Sequence, residues 1–85
     1  MALTILYFAW VREKIGTGEE TAEVPEHVTT IRALAEWLSG RSEEHRAALS
    51  DLARIRVAVD RAFADLDAPI AAAREVAFFP PVTGG

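Results

Sequence analysis

The chain has 85 residues, 51% of them apolar and 26% charged, with a net charge of -4. That suffices for one domain with a modest core and is too short for two. The absence of cysteine excludes a disulfide framework, a thiolate metal site and an internal persulfide, so stability must come from packing. The acidic balance and the lack of a basic stripe argue against nucleic-acid binding and favour partners with basic docking surfaces. No stretch approaches the ~20 apolar residues that span a bilayer, and the opening does not read as a leader. No membrane role and a cytoplasmic location are therefore expected.

Leu3-Thr4-Ile5-Leu6-Tyr7-Phe8 reads as a first strand, apolar at nearly every position, so both of its faces call for cover. Ala9 to Ile15 reads as a short helical turn that ends in the loop Gly16-Thr17-Gly18. In Glu20-Thr21-Ala22-Glu23-Val24 the residues Ala22 and Val24 share one face and Thr21 and Glu23 the other, the pattern of an edge strand closed by Pro25. Thr29 or Thr30 is an N-cap for a helix in which Ile31, Leu34, Ala35 and Leu38 form one apolar stripe, with Gly40 at its stop. Ser42, followed by Glu43 and Glu44, starts another helix running to about Leu52.

Ile55, Val57 and Val59 alternate with polar or small residues as a third strand, with Arg56 and Asp60 turned to water. Phe63 and Leu66 punctuate a polar stretch up to Pro69, which reads as a short edge strand and turns. Val76 to Phe79 is the last strand, stopped by Pro80-Pro81. This order predicts an α+β fold: a mixed five-stranded sheet with one main helix across a single face. Residues 1–79 form the domain and residues 80–85 an extended tail. Because neighbours on a strand point to opposite faces, Tyr7 and Phe8 cannot both lie under the helix, nor can Phe78 and Phe79. One aromatic of each pair should reach the open face, leaving an apolar patch of the kind that marks a partner site.

The tail has the character of a chemical device. Gly84-Gly85 is a thread thin enough for a narrow active site, and Pro80-Pro81 holds its stem extended. From Val82 to Gly85 an extended chain spans about 13 Å. Activation of the terminal carboxylate with ATP would make an acyl-adenylate open to attack by sulfide or persulfide, leaving a thiocarboxylate. No internal thiol competes for that activated group. No nucleophile and base pairing, phosphate loop or catalytic set is visible, so the chain is not an enzyme by itself. His27 and His45 lack paired ligand spacing and read as solvated, and no metal site is expected. Asp60, Asp65 and Asp67 lack the glycine and closing glutamate of a calcium loop and read as turn and surface residues.

The run Glu75-Val-Ala-Phe-Phe-Pro-Pro-Val-Thr-Gly-Gly85 resembles the ending of the small subunit of molybdopterin synthase, the MoaD family. Leu6-Tyr-Phe-Ala-Trp-Val-Arg-Glu13 is similar to the segment that follows the first strand in that family. The resemblance implies a ubiquitin-like β-grasp fold and a sulfur carrier charged on Gly85. It implies a MoeB-type adenylating enzyme, a sulfur donor and a MoaE-type large subunit as partners, in an assembly of two small and two large subunits. The tail would enter the large subunit and give sulfur to cyclic pyranopterin monophosphate, forming the molybdopterin dithiolene. No bound cofactor is implied, only AMP carried transiently on Gly85. The candidate reactive residues are thus Gly85 and Gly84. The candidate partner-contacting residues are Phe8, Phe78, Phe79, Pro80, Pro81, Val82 and Thr83, with Arg12, which reads equally as half of a docking pair with Glu13 or as a solvated charge. Alternatives are a sulfur carrier for thiamine synthesis or tRNA thiolation, a ubiquitin-like protein modifier, and a plain interaction module. In place of the family's Asp-Gly-Asp type of turn before the last strand stands Ala72-Ala73-Arg74, without a glycine to supply positive φ.

Overall fold

Side chains that alternate along five strands sort themselves between a helix-covered face and an open one. The computed structural model describes residues 1–81; Val82, Thr83, Gly84 and Gly85 lie outside the described residues. The strands are β1 (Ala2–Tyr7), β2 (Glu19–Glu23), β3 (Arg56–Val59), β4 (Ala62–Ala64) and β5 (Glu75–Phe79). They form one sheet in the order β2-β1-β5-β3-β4, with β1 and β5 parallel and every other pairing antiparallel. The helices are α1 (Ala9–Ile15), α2 (Ile31–Ser39) and α3 (Glu43–Leu49), followed by a 3-10 turn at Leu52–Arg54. This is the mixed α+β β-grasp layout that the sequence predicts.

Leu3, Ile5 and Tyr7 of β1, Val76 and Phe78 of β5, and Val57 of β3 meet Ile31, Leu34, Ala35 and Leu38 of α2 in one core, which Val11 and Leu49 close. Tyr7 and Phe78 are its largest side chains, paired across the parallel register and stacked with centroids 6.2 Å apart at 18°. Each such ring contributes roughly 2–3 kcal/mol by burial. Ile70, in the loop before β5, is also fully buried, a core position that no periodic pattern announces.

The helix ends follow from local chemistry. The Thr30 hydroxyl accepts from the Ala33 N–H at 3.2 Å, as an N-cap should. The carbonyls of Ala68 and Leu66 accept from the N–H groups of Ile31 and Arg32, so the first turn of α2 is satisfied by a distant loop. Helix α1 ends on Gly16 at φ 94°, whose N–H returns to the Arg12 carbonyl at 2.8 Å. Helix α3 stops at Leu49 rather than near Leu52. Ser50 and Asp51 favour non-helical backbone, and the chain must turn there to deliver buried Ile55 to the sheet.

The turn before β5 needs no glycine. The left-handed residues lie instead at Asp60 (φ 48°) and Arg61 (φ 72°), in the two-residue connection from β3 to β4. Asp60 then ties this hairpin to β5: one carboxylate oxygen accepts the N–H groups of Arg74 at 2.9 Å and Glu75 at 3.0 Å.

One expectation is corrected by the packing: His45 is largely buried, whereas His27 is exposed. The His45 Nε2 and the Tyr7 hydroxyl both lie 2.7 Å from one oxygen of Glu20, and Nδ1 lies 2.7 Å from the Ser42 hydroxyl. Arg41 stands 3.9 Å from the other Glu20 oxygen. Sequence separations of 13 and 25 residues hid this network, which fastens the edge strand β2 to α3 through the core tyrosine. Burial, followed by the hydrogen bond to Glu20, pushes the Tyr7 phenol up, so it stays a neutral donor. For Glu20, burial acts to raise the carboxyl. The hydrogen bonds from His45 and Tyr7 and the electrostatic pull of His45 and Arg41 outweigh it, so the group titrates below its usual range.

Two outcomes follow. Phe78→Ala should cost about 3–5 kcal/mol in denaturant unfolding, against less than about 0.5 kcal/mol for Phe63→Ala, whose ring is 83% exposed. Because Glu20 titrates lower folded than unfolded, its contribution is complete above the unfolded carboxylate range and is lost as pH falls through the folded value. Glu20→Gln should therefore flatten the acid side of a plot of Tm against pH; an acid limb as steep as the parent's would contradict this assignment.

Candidate functional site: the open sheet face and the root of the tail

The face of the sheet away from the helices carries the odd members of each aromatic pair. Register places Tyr7 opposite Phe78, so the next residues, Phe8 and Phe79, stand at the same end of adjacent parallel strands. The Phe8 N–H continues the ladder to the Phe78 carbonyl at 3.1 Å. Phe8 itself is extended, and Ala9 then takes φ 54°, a left-handed residue that turns the chain sharply into α1. The turn leaves the Phe8 ring half exposed at 48%.

Leu6, Phe8, Ala58, Ala77 and Phe79 line a shallow depression of about 470 Å³, with Arg61 and Glu75 at its rim, 3.8 Å apart. Next to it Phe63 packs against Phe79 with ring centroids 5.8 Å apart. The two alanines matter by their size, since a larger side chain at either position would fill the hollow between the aromatic walls. Clustered apolar surface of this kind on a small domain is characteristic of a docking surface. From Phe79 the chain passes directly into Pro80, partly covered, and Pro81, exposed, so the strand that carries the Phe79 ring also leads into the prolines.

The candidates from sequence are sorted by this geometry. Phe8 and Phe79 come together on the open face, with Pro80 and Pro81 beside them in the chain. Phe78 is corrected: it is fully buried against Tyr7, so no partner can touch its ring. Arg12 is exposed on α1 and lies over Gly18, where an added Cβ would come within 3.1 Å of its Nε. No ion pair joins Arg12 to Glu13 among the described residues. The candidates Val82, Thr83, Gly84 and Gly85 lie outside the described residues. Leu6, Ala58 and Ala77 are members of the face that sequence reasoning passed over. Period-two alternation against Ile5, Val57 and Phe78 was the signal that could have found them. Among the described residues, no group of three or more His, Cys, Asp or Glu side chains is arranged to hold a metal ion, and no helix is long and apolar enough to cross a membrane.

The chain matches the ThiS family over residues 5–85. It is 39% identical over 83 residues to the molybdopterin synthase sulfur carrier subunit of Escherichia coli K12, covering 98% of this chain and 99% of that protein. Among solved structures, the fold is shared with small archaeal modifier protein 1 of Haloferax volcanii at TM-score 0.74 and 27% identity, over 95% of this chain and 98% of that one. It is shared as well with a chain of the complex of subunits 1 and 2 of the molybdopterin-converting factor of Helicobacter pylori 26695. That match has TM-score 0.64 and 17% identity over the full length of both chains. The chain therefore belongs to the ThiS family, and within it to the molybdopterin synthase sulfur carrier subunits.

Proposed function

We propose that this protein carries sulfur as a thiocarboxylate on Gly85 and donates it, as the small subunit of a molybdopterin synthase, to cyclic pyranopterin monophosphate. One observation carries the reading: the docking face and the root of the tail share strand β5, so a partner that grips Phe8 and Phe79 also receives the chain leaving Phe79. The near full-length likeness to a sulfur carrier subunit supports it.

The chemistry needs nothing from the folded domain except presentation. The terminal carboxylate attacks the α-phosphate of ATP on an adenylating enzyme of the MoeB type, releasing pyrophosphate. Hydrosulfide delivered by a donor then attacks the acyl carbon and expels AMP, leaving the thiocarboxylate; where the donor attacks as a persulfide, a second thiol must cleave the resulting acyl disulfide. In the large subunit, of the MoaE type, the thiocarboxylate sulfur bonds to the pterin precursor in place of an oxygen substituent, and water then cleaves the acyl–sulfur bond, leaving the sulfur on the pterin and returning the carboxylate. A dithiolene holds two sulfurs, so each product requires a carrier charged twice or two carriers, which suits an assembly of two small and two large subunits. The complex of subunits 1 and 2 known for the Helicobacter pylori factor supports a large subunit as the partner. ATP-dependent charging fits a cytoplasmic setting, and the domain of residues 1–79 with a tail of 80–85 divides presentation from chemistry.

A second reading has its own support, the likeness to an archaeal protein named as a modifier. A modifier would join Gly85 to lysine amines on other proteins, and isopeptide-linked Gly85 in cell extracts would favour it over the carrier.

Intact mass decides the main reading. Incubation with an adenylating enzyme, ATP and a sulfur donor should raise the mass by the difference between one sulfur and one oxygen, and deletion of Gly85 should abolish that gain. An unchanged mass under conditions that charge the Escherichia coli relative would overturn it. Phe8→Ala should weaken binding to the large subunit by about 1–2 kcal/mol, roughly tenfold, while leaving the melting temperature within a degree or two.

A further inference from the structure

We propose that the free edge of β4 pairs with β4 of a second copy of this chain, antiparallel about a two-fold axis that passes beside Phe63. The inference does not depend on the tail or on its chemistry. Strand β4 is the outermost strand on its side of the sheet, and its other edge is taken by β3. Asp60 and Arg61 both have positive φ, as a type I′ hairpin turn requires, so the closing pair Val59 and Ala62 exchanges backbone hydrogen bonds. In an antiparallel ladder such pairs alternate with non-bonded ones. Ala62 and Ala64 thus face β3 with their amide groups, and Phe63 turns its N–H and C=O to the empty side. Two copies related by a two-fold axis at this point would exchange both bonds of the Phe63 pair.

The residues around Phe63 are self-complementary in that arrangement. Read as Arg61-Ala62-Phe63-Ala64-Asp65, the segment places Arg61 of one copy opposite Asp65 of the other, twice, with alanines between. Arg61 has an 89% exposed side chain, and its ion pair within the chain, to Glu75, is loose at 3.8 Å. Asp65 is exposed and uses one carboxylate oxygen to accept the Asp67 N–H, leaving the other for a guanidinium. The 83% exposed Phe63 ring would lie against its symmetry mate, each supported by its own Phe79, and the two sheets would merge into one of ten strands.

The opposite edge has the reverse character. An antiparallel pairing of β2 with itself about Thr21 would set Glu19 against Glu23 twice, like charge against like. The charges therefore direct association to β4 and away from β2. So short a strand gives a reversible dimer rather than a permanent one.

Sedimentation equilibrium of the full chain, from roughly 10 µM to 1 mM at low salt, should show monomer and dimer exchanging with a dissociation constant in the upper micromolar range. Phe63→Lys should abolish the dimer with an unchanged melting temperature. Arg61→Asp and Asp65→Arg should each weaken self-association at least tenfold, since each sets like charges opposite at both ends. Mixed together, these two variants should form a heterodimer, because every opposing pair is again of opposite sign. A chain that stays monomeric throughout overturns the proposal and leaves this edge to an extended segment of another protein. So does a dimer indifferent to Phe63→Lys, or a mixture no more associated than its components.

Discussion

The parallel pairing of the first strand with the last is the constraint on which the rest depends. It is the only parallel contact in the described sheet, and it sits at the centre, between two antiparallel hairpins. Its register sets Tyr7 against Phe78 in the core and, one residue further along, Phe8 beside Phe79 on the outside. Because side chains alternate with period two, a slip of β5 by one residue against β1 would bare Phe78 and bury Phe79, breaking both pairings at once. Core and open face are in this sense a single decision about register.

The helical layer makes that decision one-sided. Ile31, Leu34, Ala35 and Leu38 cover the inward residues of β1, β5 and β3, while the opposite surface of the same strands receives no helix from the described residues. What remains uncovered is an apolar hollow with alanine floors and aromatic walls. The polar network of Tyr7, Glu20, His45 and Ser42 belongs to the covered side. There it anchors β2, a strand whose outward residues are otherwise polar or acidic, to the body of the domain. The buried tyrosine can serve in the core because its hydroxyl finds a carboxylate at the margin.

Much of this was legible in the sequence. The apolar stripe of α2, the capping residues Thr30 and Ser42, the alternation of β3 and the proline stop after Phe79 each carry a local signature with a local cause. The division of Tyr7 from Phe8 and of Phe78 from Phe79 was legible too, although which member pointed inward was not. That is decided by register between strands some 70 residues apart in the chain. Ile70 was hidden because a loop residue has no period to betray it, and its burial depends on where the loop lies along α2. His45 looked solvated because two of its neighbours, Tyr7 and Glu20, come from β1 and β2, far away in sequence. The left-handed pair Asp60-Arg61 was unmarked because neither residue is glycine. The carboxylate of Asp60 is held by the backbone of β5, so tertiary context stabilises a conformation that local propensity would disfavour.

The central place of β5 has a consequence for how the sheet is held together. The β1–β2 and β3–β4 hairpins share no ladder with each other; each meets only β5 from its own side. Without β5, no ladder joins the β1–β2 pair to the β3–β4 pair. The closing contact of the fold is thus made by the residues that immediately precede the stem. Removing β5 would take the central strand from the sheet and Phe79 from beside Phe8. The exposed pair of Phe8 and Phe79 therefore exists only once β5 has joined the two flanking ladders.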